Sequence, residues 1–413
     1  MWNSSTFDKI CREIERLEPE MIEMQSRLCA LPAISPKYGG EGEKARADYL
    51  RGVFESWGLA VEELRAPDPL APCGYRPNLI VRLAGKRSGP VIWIMTHLDI
   101  VPPGPSVLWH SDPFTARVEN GKIYGRGVED NQQEMVASIF AVRALLNLGL
   151  EPELPAGLML VADEETGSQF GVDWLLKQHQ PCQPDDLVVV PDAGNEEGTL
   201  LEIAEKSILW LKFTTFGQQA HGSTPHHGNN AHRAGARLLV RLDTVLHQEF
   251  DARDELFSPP VSTIEPTKKE ANVPNINTIP GEDVFYFDMR LLPCYQLEKV
   301  LNRVRVVVSE IEAEFGVKVR IDIEQQAPAA PITPPDAPVV RFLADAVRAV
   351  YGKEPFPRGI GGGTVAAFFR RQGIPAVVWG KNAGQAHKPD EFCLIANMVG
   401  NAKVYAHLLG RTV

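Results

Sequence analysis

The sequence predicts an α/β fold in which a mixed, mainly parallel sheet carries an inserted α+β domain. Three observations lead there. Strand-like apolar runs alternate with amphipathic helical stretches along the chain, the pattern of layered α/β structure. The 413 residues exceed one ordinary domain and suit two or three. The segment between residues 206 and 325 changes texture, alternating strands and long helices in the order of a small α+β domain. The expected organisation is a main domain over 1–205 and 326–413, interrupted by an insert over 206–325.

Residues 5–31 space Ile10, Ile14, Leu17, Ile22, Met24 and Leu28 for one or two helices, and 43–57 read as another. A strand is expected over 78–83. The run VIWIM is continuously apolar, as strands buried on both faces are, and it ends in the polar pair His97 and Asp99. GLMLVAD, DLVVVP and AVVWG repeat that pattern before Glu164 and Glu165, Asp192, and His387. In GRGVEDNQQEMVASIF a glycine turn carrying Asp130 precedes a helix with Met135, Ile139 and Leu145 on its apolar face. The insert reads as a strand at SILWLKFTTFG, a helix over 230–248, a strand over 283–290, a helix over 297–315 and a strand over 317–324.

Composition narrows the function. Apolar residues at 44% and charged residues at 23% describe an ordinary globular chain rather than a disordered one. A net charge of -11 gives no electrostatic reason to bind nucleic acid or an anionic membrane. The acidic N-terminal stretch lacks the basic start and apolar core of a signal peptide, and no run approaches a membrane span, so a cytoplasmic location is expected. Six scattered cysteines without CxxC spacing exclude a thiolate zinc knot and a thioredoxin-type pair. Neither a Walker nor a Rossmann glycine pattern is present, so no nucleotide cofactor is implied.

Ligands bind beyond the carboxyl ends of parallel strands, where His97, Asp99, Glu164, Glu165, Asp192 and His387 are all expected. Taken singly, each has a bland reading as a cap, a solvated turn or a satisfied histidine. Together, two histidines and several carboxylates would repel and desolvate one another unless cations held them. Zinc accepts imidazole nitrogen and carboxylate oxygen, and two metals about 3.5–4 Å apart need a shared carboxylate. The physical inference is a two-metal hydrolase.

The same residues resemble the M20 family of metallopeptidases and deacylases, which includes acetylornithine deacetylase, succinyl-diaminopimelate desuccinylase and carboxypeptidase G2. THLDIVPPG is similar to its HxD motif, GRGVEDNQ to GRGxxDxK and ADEETGS to EExGS, and QQAHGSTP, NVPNINTIP, FYFDMRLLP, GIGGGTVAAF and AHKPDE extend the likeness over essentially the whole chain. The resemblance implies a zinc-peptidase-like catalytic domain with a lid and dimerisation insert. It implies two zinc ions per subunit, with Co2+ or Mn2+ as substitutes, held by His97 and Asp192 on one side and His387 and Glu165 on the other, with Asp130 bridging. Asp99 would orient the His97 ring, a cis peptide bond would follow Asp130, and Glu164 would be the general base. His221, acting in many members across a homodimer, would stabilise the oxyanion. Asn275 and Arg290 would contact the substrate's carboxylate or backbone. Gly362 and Gly363, just before a helix, offer backbone donors to a carboxylate.

The sequence departs from many relatives at Asn131 and Gln132, after the bridging aspartate, and at Thr364, Val365 and Ala366. The expected reaction is hydrolysis of an amide bond in a small carboxylate-bearing substrate, a dipeptide or an N-acyl amino acid. Carboxypeptidase, dipeptidase and deacylase activities all stay open. The rival is a noncatalytic metal-binding or assembly protein that keeps the fold, against which the retention of Glu164 beside five candidate ligands argues.

Overall fold

The computed structural model describes residues 2–412. The chain forms two compact units, one of Met1–Ile203, Pro331–Pro357 and Thr364–Val413, the other of Ala204–Ala330 and Arg358–Gly363.

The first unit is built on an eight-stranded sheet. Its order is Val61–Pro67, Tyr75–Leu83, Ala156–Val161, Ile92–His97, Leu187–Val190, Ala376–Val378, Leu200–Glu205 and Phe356–Ile360, and the chain passes into the second unit within each of the last two strands. The four strands from Ala156–Val161 to Ala376–Val378 run parallel. Tyr75–Leu83 and Leu200–Glu205 flank them antiparallel, so the sheet is mixed with a parallel centre, as the apolar runs predict. Every residue of Ile92–His97, Ala156–Val161 and Leu187–Val190 is buried, which accounts for their unbroken apolar character. Gly157 has no side chain where one would collide with the Trp93 ring of the neighbouring strand, its Cβ falling 2.1 Å from the indole.

Residues 5–31 resolve into two helices, Ser4–Arg16 and Glu18–Cys29, separated at Leu17 just before Pro19. Asn3 caps the first by accepting a hydrogen bond from the Thr6 amide. Gln133–Asn147 and Ile395–Leu409 are buried on most of their surfaces and pack on each other. Because the central strands are parallel, their carboxyl ends share one edge of the sheet, the edge where ligands bind in such sheets.

The second unit has a four-stranded antiparallel sheet in the order Thr263–Lys269, Glu282–Leu291, Ser207–Phe216 and Lys318–Ala327. Leu209, Leu211, Phe213, Phe285, Phe287 and Met289 alternate onto one face, where the helices Ala231–Glu249 and Leu297–Phe315 cover them with Leu238, Leu242 and Val304. The Thr263–Lys269 strand escapes the apolar pattern. It is an edge strand with only Ile264 buried, and it tolerates Pro266 beside a register shift.

Candidate metal centre

His97 is the last residue of its strand, Glu164 and Glu165 follow Ala156–Val161, Asp192 follows Leu187–Val190, and His387 lies in the loop after Ala376–Val378. Two glycines let these loops close on one another. Gly194 approaches so near the Gly380 carbonyl that a Cβ would sit 1.8 Å from its oxygen, which brings the Asp192 and His387 loops into direct backbone contact. Gly127, in the left-handed region at φ 80°, opens the turn that presents Asp130, and a side chain there would strike Ile100. The peptide bond between Asp130 and Asn131 is cis.

The carboxylate of Asp130 lies between the two histidines. Its Oδ1 is 3.1 Å from His97 Nε2 and its Oδ2 is 3.1 Å from His387 Nε2. Asp192 Oδ1 stands 3.3 Å from the same His97 nitrogen, and Glu165 Oε2 stands 3.1 Å from His387 Nε2. His97, Asp130 and Asp192 form one group able to hold a cation, Asp130, Glu165 and His387 a second, and His97, Glu164 and Glu165 a third, with donor atoms within 4.8 Å of one another in each. The His97 side chain is 2% exposed and that of His387 55%, so the cluster runs from the sheet interior to an open rim.

The charges of this cluster lean on one another. Burial opposes charge on the His97 ring, yet its hydrogen bonds to Asp130, Asp192 and Asp99 prevail and hold its pKa well above the ordinary histidine value. Hydrogen bonds to Asp130 and Glu165 raise that of His387 to about 10. Burial works against the Asp130 carboxylate, but bonds from His387 and His97 keep its pKa far below the usual range. Burial and then the Asp192 charge push Glu164 well above the carboxylate range, and burial raises Glu165 as well. Protons on the two histidines thus balance acids that a cation would otherwise balance, so cation binding competes with protonation and weakens as pH falls.

Asp99 does more than the expected ring contact. Its carboxylate accepts the amides of Glu164 at 3.0 Å and Glu165 at 3.1 Å, while His97 Nδ1 lies 3.1 Å from the Asp99 main-chain oxygen and 3.5 Å from the carboxylate. One buried group therefore fixes both the histidine ring and the turn with the two glutamates. Asn131, which follows the motif's aspartate, also finds a place: its Nδ2 donates to the Pro191 carbonyl at 2.8 Å and its Oδ1 accepts the His97 amide at 3.3 Å.

Other supporting residues escape the sequence reading. Glu391 accepts the amides of Gly127, Glu129 and Asp130. Arg76, 2% exposed, pairs with Glu43 through two guanidinium nitrogens, with Asp163 at 3.4 Å and with Asp68 at 3.5 Å, and Asp163 immediately precedes the two glutamates. A buried acid far away in sequence gives no periodic signal, so only the fold reveals these roles. Arg76→Ala would leave three buried carboxylates uncompensated and should destabilise the first unit by about 3–5 kcal/mol. Calorimetry checks this, and an unchanged melting temperature would refute it.

The second unit carries the remaining sequence candidates. His221 is exposed on a two-residue strand, its Nδ1 2.7 Å from Ser223 Oγ. Asn275 is exposed and donates to Asn277 and Thr278. Arg290 is already engaged, bidentate on Asp288 at 2.6 and 3.0 Å and donating to the Gly361 carbonyl at 3.2 Å. Its fork therefore sits beside the loop that contains Gly362 and Gly363, and a substrate carboxylate would have to share it with Asp288. Around Gly361, Gly362 and Gly363 an added Cβ would meet nothing closer than 3.8 Å.

Imidazole and carboxylate donors grouped in this way fit divalent cations. A second observation agrees: Glu165 Oε1 is buried without a hydrogen-bond partner, an oxygen whose lone pairs a cation would take up. Among the described residues no helix is long and apolar enough to cross a membrane.

Comparison with known proteins points the same way. Over 410 residues the chain is 37% identical to an uncharacterized metallohydrolase of Methanococcus maripaludis, covering 94% of this chain and 98% of the relative. It is 27% identical over 399 residues to a succinyl-diaminopimelate desuccinylase of Rhodospirillum centenum, covering 96% and 98%. A tripeptidase from Staphylococcus aureus shares the fold with a TM-score of 0.74 at 17% identity, covering 95% of this chain and 97% of that one. The model of peptidase family M20/M25/M40 matches residues 93–411, a span that takes in every residue of the histidine and carboxylate cluster, and the chain belongs to that family.

Proposed function

We propose that the protein is a di-metal amidohydrolase, with zinc as its resident cation, acting on a small amide that carries a carboxylate next to the leaving nitrogen. The observation that carries this reading is the position of Asp130, one carboxylate oxygen on each histidine, with Asp192 completing one group and Glu165 the other. His97, Asp130 and Asp192 would hold one cation, and His387, Asp130 and Glu165 the second. Bound there, divalent cations polarise a scissile carbonyl and make water a stronger acid.

The chain's own part is proton transfer and orientation. Glu164, its backbone fixed by Asp99, takes a proton from the attacking water at its carboxylate and hands it to the leaving nitrogen. His221 is assigned to the oxyanion, with the second unit acting as lid and homodimer interface in the manner the family resemblance implies. Arg290, Asn275 and the backbone of Gly362 and Gly363 are assigned to the substrate's carboxylate. The desuccinylase and tripeptidase likenesses support acyl and short peptide amides as the classes to test.

The test is mass-spectrometric detection of products from zinc-loaded protein, with and without chelator, on acetyl and succinyl amino acids, dipeptides and tripeptides. Release from one class, abolished by chelator and restored by zinc, is expected. Release that chelator does not affect would reject the metal-dependent reading, and failure of every class would reject the substrate assignment.

A further inference from the structure

We propose that Glu129 and Glu391 are positioning residues that form a reciprocal clamp between two loops and so preassemble the Asp130, Glu165 and His387 half of the centre. The inference rests on the metal-centre reading above. Glu391 stands four residues after His387 and reaches back to the turn that presents Asp130. Its carboxylate accepts the amides of Gly127 and Glu129 at 2.9 Å and of Asp130 at 3.1 Å, and Arg126 Nη1 at 2.7 Å. Glu129 reaches the other way, from the Asp130 turn to the stretch before His387. Its carboxylate accepts the amide of Ala383 at 2.5 Å and that of Gln385. Each loop therefore contributes the acid that satisfies the other's backbone donors.

The clamp answers a problem of placement. His387 has a half-exposed side chain and a left-handed backbone at φ 64°, so packing of the ring does not fix it. The loop backbone has to do so, and amides at 383 and 385 left unpaired beside buried groups would let it shift. Glu129 is 5% exposed and Glu391 is fully buried, a placement for carboxylates that is unfavourable unless several donors meet them. Both meet those donors only while the two loops stay in register. The structure thus ties the distance between Asp130 and His387 to two residues that touch neither the histidine nor a substrate.

Glu129→Ala and Glu129→Gln, the latter keeping one acceptor oxygen, test the clamp by two readouts. The first is amide hydrogen exchange over residues 382–388 in the metal-free protein, which should speed by about tenfold or more in Glu129→Ala, less in Glu129→Gln, with other segments unchanged. The second is zinc titration with wild type and His387→Ala as references. The binding step lost in His387→Ala should weaken by about 10–100-fold in Glu129→Ala, while the other step stays near wild type. Glu391→Gln should speed exchange over 126–131 in the same way. Wild-type exchange in both loops would overturn the clamp, as would exchange that rises across the whole chain, or two binding steps weakened equally. If wild type binds no zinc, the functional reading fails on its own and hydrogen exchange alone decides the clamp.

Discussion

Glu164→Gln should lower kcat by roughly 10²–10⁴-fold and leave the metal content unchanged. Glutamine keeps the shape of the side chain and the turn, whose amides Asp99 holds at 3.0 and 3.1 Å, but it has no carboxylate to accept a proton. With no cation bound, burial and then the charge of Asp192 push its pKa well above the ordinary carboxylate value. The experiment separates two roles, because Glu164 also groups with His97 and Glu165 in a donor set able to hold a cation. Elemental analysis beside kcat, on whichever substrate class responds, decides between them. Metal lost together with activity would make Glu164 a ligand, and retained wild-type kcat would remove it from the chemistry.

The sequence made the parallel centre of the sheet legible because buried strands show as unbroken apolar runs, and each run led directly to a polar residue at its carboxyl end. That is why His97, Glu164, Glu165 and Asp192 could be picked out without coordinates. His387 was harder, lying nine residues beyond Val378 in a loop whose path depends on Gly380 and on Glu129. What the pattern could not reveal was the support. Arg76 meets Glu43, Asp163 and Asp68 from four separate places in the chain, and a charge buried in that way breaks periodicity rather than following it. The Thr263–Lys269 strand was missed for a related reason, since an edge strand that faces solvent needs no apolar alternation. The family resemblance implies that Asp99 orients the His97 ring, and the carboxylate lies 3.5 Å from it; that the same carboxylate also holds the two glutamate amides is a role that only the path of the backbone reveals.

Asp130→Ala should have the largest effect on metal binding of any single change, because it alone removes a donor from both halves. His97 would be left with Asp192 and His387 with Glu165, two protein donors each, one short of the three that a catalytic zinc site ordinarily has. The expected result is a fall from two zinc ions per chain to at most one after dialysis, with hydrolysis reduced to the background rate. Asp192→Ala and Glu165→Ala touch one half each and should lose one zinc ion apiece. Asp130→Asn refines the argument: its single oxygen can face only one histidine while its amide donates toward the other, so it should keep one half and lose the other. Elemental analysis with competitive chelator titration reads all four variants, and circular dichroism shows that each is folded. Two zinc ions held by Asp130→Ala at wild-type affinity would mean that Asp130 does not bridge, and the contacts at 3.1 Å to both histidines would then be plain hydrogen bonds within a polar cluster.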